Sequence, residues 1–144
     1  MFNTVAVASD GSDTADKAVE MALDIAAHYE ARLLVFSVYQ PVDAKRVEHE
    51  RDEAPEEIQW SINGHEAVDA MLADVARRAT GRGLDATTFA REGEPASTIC
   101  ALAEEREADL LVIGNKGMQR RVFGSVPKWI SQHAPCSVVI AKTT

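Results

Sequence analysis

Apolar residues follow two alternating rhythms along the chain: short unbroken runs, and longer stretches spaced by three and four. Thr4 to Ala8 (TVAVA) is the first run and stops at Ser9-Asp10-Gly11, which predicts a buried strand ending in a turn. Ala15, Ala18, Val19, Ala22, Ile25, Ala26 and Tyr29 then share one helical face, with Ser12 or Asp13 placed to cap it. Arg32 to Val38 (RLLVFSV) is a second strand-like run. Ile58, Ile62, Val68, Leu72, Val75, Ala76 and Ala79 mark a long helix, closed by Gly81 and Gly83. Leu84 to Ala90 predicts a third strand, and Pro95 opens a helix carrying Ile99, Leu102 and Ala103. Asp109 to Ile113 (DLLVI) is a fourth strand. Ser125 can cap a short helix with Pro127 in its first turn, and Ser137 to Ala141 (SVVIA) is a fifth strand.

Strands that are apolar on both faces and separated by helices imply a parallel sheet covered on both sides. The expected fold is therefore α/β: one doubly wound, Rossmann-like domain over residues 1–144, with a five-stranded parallel sheet in the order 3-2-1-4-5. Residues 40–56 are charged, poor in large apolar side chains and flanked by Pro41 and Pro55, so an exposed, mobile connection is expected there. In such folds a ligand binds at the carboxyl ends of the strands, where the strand order reverses. That singles out Ser9–Ser12, Ser37–Gln40 and Gly114–Gly117.

Composition narrows the function. A chain of 144 residues with 46% hydrophobic residues can build a core without disulfides or metals. MFNTVAVASD lacks the basic start and the length of a signal peptide, and no segment approaches the roughly 20 apolar residues that cross a bilayer. Cys100 and Cys136 share no metal-ligand or redox spacing, which with the missing export signal points to a reducing cytoplasm. A net charge of −8 argues against a nucleic-acid surface. The charge is uneven, however. From Leu110 to Thr144 there is no Asp or Glu, and five Lys or Arg.

That acid-free quarter holds Gly114-Asn115-Lys116-Gly117 at a strand end, then Gly124-Ser125 at a helix start. Glycines let backbone N–H groups approach phosphate oxygens closely, and a helix N-terminus adds free donors and a favourable dipole. Lys116, Arg120 and Arg121 supply attraction, and no carboxylate opposes it. A glycine-rich turn that merely joins strand to helix is the alternative. Neither a P-loop nor a dinucleotide fingerprint occurs, and no nucleophile elbow. Ser9 to Thr14 faintly echoes the loop of pyrophosphate-releasing ATP enzymes, but Asp10 stands where that loop needs glycine.

Taken together, Asp10-Gly11-Ser12, Gly114-Asn115-Lys116-Gly117, Gly124-Ser125-Val126-Pro127 and Ala134-Pro135-Cys136-Ser137-Val138 resemble the universal stress protein family over the whole chain. The spacer from Met118 to Phe123 is shorter than in the family's ATP-binding branch. The resemblance implies a site for ATP, AMP or ADP, with Mg2+ as accompanying ion. Asp10 would contact ribose or a phosphate-bound metal, Val38 and Ile113 would pack near adenine, and Gly114, Lys116 and Gly117 would line the phosphates. Gly124, Ser125 and Val126 would complete the cradle. It further implies a cytoplasmic homodimer paired through the C-terminal strand Ser137–Ala141, acting in stress response by binding, with at most slow ATP hydrolysis.

Other chemistry has little support. The four histidines are scattered, Glu56-Glu57 and Glu104-Glu105 read as solvated helix faces, and Trp60 and Trp129 as packing residues, Trp129 with a dimer interface as its alternative. Cys100 lies on an apolar helical face, and Cys136 has no base near it in sequence. Two further readings stay open: a dimeric interaction protein of the same fold without nucleotide, and an ATP-dependent transferase or ligase.

Overall fold

Strands and helices alternate along the chain, as the hydrophobic pattern requires: β1 (Thr4–Ala8), α1 (Asp13–Tyr29), β2 (Arg32–Tyr39), α2 (His65–Gly81), β3 (Ala86–Glu92), α3 (Pro95–Glu105), β4 (Leu110–Gly114), α4 (Val126–His133) and β5 (Ser137–Ala141). This is a computed structural model, and it describes residues 1–39, 65–115 and 126–142. The expected connection at 40–56 lies outside the described residues, as do Lys116, Gly117, Gly124 and Ser125.

All strand pairs are parallel, and the sheet order is β3-β2-β1-β4-β5. The chain winds from β1 outward to β3, then crosses back to β4 on the other side of β1. The two faces separate cleanly by residue parity. Val5, Val7, Leu33, Val35 and Val112 pack with Ala22, Leu23, Leu72 and Val75 of α1 and α2. Ala6, Ala8, Leu34, Phe36, Leu111 and Ile113 pack with Ile99, Leu102 and Ile130 of α3 and α4. Each large side chain withdrawn from water in this way contributes roughly 1.5–3 kcal/mol.

Local chemistry sets the element ends. Ser12 caps α1, its Oγ accepting from Ala15 N at 3.2 Å. Glu94 caps α3, accepting from Ala96 N at 3.1 Å and Ser97 N at 2.8 Å, with Pro95 in the first turn. The third strand lies two residues later than the pattern predicts. Leu84 N still donates to Ala79 O at 2.9 Å and so closes α2, whereas Arg91 and Glu92 pair with Val38 and Tyr39 at the far end of β2. A polar clasp aligns the two central strands: Asp109 Oδ2 accepts from Asn3 N at 2.8 Å and Thr4 N at 2.9 Å.

Candidate functional site at the carboxyl ends of the central strands

Because β1 sends its connection to one face and β4 to the other, a crevice is built where their carboxyl ends diverge. On the β1 side the turn is held tightly. Ser9 is buried, its N–H donates to Phe36 O at 3.0 Å, and its Oγ accepts from Gly11 N at 3.1 Å. Gly11 has φ 84°, a left-handed conformation that glycine adopts without strain. Asp10 Oδ1 accepts from Ser12 N at 2.9 Å, so the carboxylate braces the turn and is only half-buried. Ser12 Oγ lies 3.1 Å from Thr14 Oγ1 and caps α1.

On the β4 side, Ile113 and Gly114 are buried, and Asn115 N donates to Ala141 O at 3.0 Å, which keeps β4 and β5 together to their ends. Val126 and Pro127 open α4 and are buried. Val38, at the carboxyl end of β2, belongs to the same apolar cluster as Ala8, Ile113 and Val126. Four of the nine positions singled out from sequence lie outside the described residues. Of the other five, Val38, Ile113 and Val126 share one apolar layer, with Asp10 and Gly114 at the strand ends beside it.

Val38, Ile113 and Val126 are all buried in that layer, at 8%, 0% and 3% exposure. Among the described residues no group of three His, Cys, Asp or Glu could hold a metal ion. Acidic side chains do crowd the start of α1, at Asp13 and Asp16. Arg78 offsets Asp16, at 2.8 Å.

Ser37 begins the Ser37–Gln40 strand end singled out from sequence; it is fully buried and its Oγ has no hydrogen-bond partner among the described residues. It follows the parity of Leu33 and Val35, so it faces α1 and α2, away from the Val38 layer. Trp129, expected to pack, is 38% exposed and stacks on His133, ring centroids 4.0 Å apart. The cause is its place on the outer face of α4, opposite buried Val126 and Ile130.

The fold is that of a doubly wound α/β domain whose strand order reverses between β1 and β4. Residues 1–142 match the universal stress protein family, and the chain belongs to that family. It is 34% identical over 149 aligned positions to universal stress protein Rv1636 of Mycobacterium tuberculosis, covering 99% of this chain and 98% of the relative. With universal stress protein YxiE of Bacillus subtilis it shares 30% identity over 154 positions, covering 99% and 100%. A crystal structure of a universal stress protein in complex with cAMP aligns with a TM-score of 0.73 at 31% identity, covering 99% of this chain and 98% of that one.

Proposed function

We propose that the chain binds an adenine nucleotide at the β1/β4 crevice and acts in stress response as a dimeric binding module. The supporting observation is the apolar layer of Val38, Ile113 and Val126 beside the turns at Asp10 and Gly114. A relative of 31% identity and the same fold is described with cAMP bound, which favours an adenine ring for this chain as well. In this reading adenine rests on Val38 and Ile113. The phosphates lie along Gly114, Lys116 and Gly117 and reach Gly124, Ser125 and Val126 at the start of α4, where free N–H groups meet negative charge. Asp10 contacts ribose or a phosphate-bound Mg2+. ATP, AMP and ADP all fit this chemistry, binding rather than turnover is the output, and hydrolysis is at most slow.

The dimer forms through β5. The described edges of the sheet differ: β3 carries Arg91 and Glu92, whereas Ser137–Ala141 carries no charge and leaves Ile140 43% exposed. Charged edges resist pairing, and an apolar edge needs a cover. No helix among the described residues is long and apolar enough to cross a membrane, in keeping with the proposed cytoplasmic setting.

The test is a melting-temperature series with ATP, ADP, AMP and cAMP at millimolar concentration, alongside native mass spectrometry of co-purified nucleotide. A shift that is lost in Lys116→Ala and Gly114→Asp, with unchanged circular dichroism, supports the reading. No shift with any of the four sinks it and favours an interaction dimer without nucleotide. Rapid release of AMP and pyrophosphate with a co-substrate would instead indicate a transferase or ligase.

A further inference from the structure

Two serines stand side by side beneath α1 and α2, at the carboxyl ends of β1 and β2. The register of Ala8 with Phe36, continued by the bond from Ser9 N to Phe36 O at 3.0 Å, sets Ser9 beside Ser37. Ser9 follows the parity of Val5 and Val7, and Ser37 that of Leu33 and Val35, so both side chains enter the same helical layer. Both are buried. Their bonding differs. Ser9 Oγ accepts from Gly11 N at 3.1 Å, whereas Ser37 Oγ has no partner among the described residues.

A buried hydroxyl without a partner is destabilising, and valine would fill a central parallel strand with no such penalty. Neighbouring strands lie about 4.8 Å apart, so rotation about χ1 can bring two adjacent serine oxygens to about 2.8 Å. The bond to Gly11 holds Ser9 in a rotamer in which the two hydroxyls do not meet.

We propose that Ser37 is a positioning residue for the β1 turn, pairing with the Ser9 hydroxyl when a ligand oxygen takes the Gly11 amide. The inference rests on the adenine-nucleotide site proposed at the β1/β4 switch point. In the ligand-free chain, Gly11 N–H donates to Ser9 Oγ and the Ser37 hydroxyl is unpaired among the described residues. In the bound chain, Gly11 N–H donates to a ribose or phosphate oxygen, and the Ser9 and Ser37 hydroxyls bond to each other. Gly11, with φ 84°, has no Cβ to obstruct the reorientation of its peptide. The far side of the turn stays anchored, because Ser12 N donates to Asp10 Oδ1 at 2.9 Å and Asp16 N to Ser12 O at 3.1 Å. Binding thus gives the Ser37 hydroxyl the partner it lacks.

The test titrates the full chain calorimetrically with ATP and with AMP, and melts it without ligand, as wild type, Ser37→Ala, Ser9→Ala and the double variant. Ser37→Ala should weaken binding about fivefold, while the ligand-free variant melts no lower than wild type. In the Ser9→Ala background, Ser37→Ala should cause no further loss of affinity, because its partner is already gone. A Ser37→Ala protein that binds as tightly as wild type overturns this inference and leaves the nucleotide reading intact. So does an affinity loss that comes with a lower ligand-free melting point, or one that adds in full to the loss in Ser9→Ala. Failure of wild type to bind either nucleotide overturns both. The amide NMR spectrum of wild type decides even where a variant fails to fold. The Gly11 signal should move on saturation with nucleotide, and a stationary signal overturns the exchange.

Discussion

Arg78 of α2 grips Glu20 of α1 across the helical layer, Nη1 lying 2.8 Å from Oε1. Its other terminal nitrogen reaches Asp16 at 2.8 Å and Asp74 at 3.2 Å, and Arg82 bonds Glu20 from one turn further along. The Arg78 side chain is only 26% exposed, so it combines packing with charge. Arg78→Ala should lower stability by about 1 kcal/mol, read from urea or thermal unfolding. A double-mutant cycle with Glu20→Ala should give a coupling of about 0.5 kcal/mol that shrinks in high salt. Additive effects in such a cycle would mean that the pair contributes nothing jointly.

Glu20 also sets an acid response. The hydrogen bond from Arg82 holds its carboxyl below the ordinary value of 4.5, burial opposes this, and the hydrogen bond from Arg78 adds to the lowering. A depressed folded pKa means the stabilisation is complete above 4.5 and is lost as pH falls through the lower, folded value. Thermal unfolding across that window should fall more steeply for wild type than for Glu20→Gln. Parallel curves would exclude Glu20 as a source of acid sensitivity.

Gly93 joins β3 to α3 under a double constraint. Its φ is +154°, and a Cβ there would lie 2.3 Å from Thr98 Oγ1. Gly93→Ala should cost about 1–3 kcal/mol. Adding Thr98→Ala removes the steric part and leaves the backbone part, so the double variant should recover some stability but not all. Full recovery would show that the clash alone matters.

For the proposed β5 dimer, Ile140→Lys should shift the molecular mass by light scattering from dimer to monomer without changing the circular dichroism. Arg91→Ala, on the opposite edge, should leave the mass unchanged. A dimer that survives Ile140→Lys would rule out pairing through this strand.

Much of the architecture was legible because each strand is an unbroken apolar run and each helix keeps a three-to-four spacing. β5 matched its run residue for residue, and β4 and α1 began within two positions of theirs. β3 slipped because Leu84 looks like a strand residue but serves as the apolar close of α2, and because the alternating ATTFARE carries charge at the end that pairs with β2. At the switch point, the resemblance named Val38 and Ile113 for adenine and Val126 for the phosphate cradle; that all three lie in one buried layer emerges only from the packing. That the buried Ser37 hydroxyl lacks a partner among the described residues was not legible, because sequence gives no count of hydrogen bonds.

The Asp109 clasp on Asn3 and Thr4 has a temporal consequence. β1 is made first, but its inner neighbour β4 is the fourth strand to leave the ribosome. Until residue 109 emerges, β1 can pair only with β2, and its first amides lack the carboxylate that later fixes them. Contacts so distant in sequence carry a large loop-closure cost and form slowly. The switch point draws one side from the turn at Asp10 and the other from Ile113 and Gly114, so it is incomplete on a nascent chain that ends before β4. A ligand that needs both sides can bind only once β4 has joined the sheet.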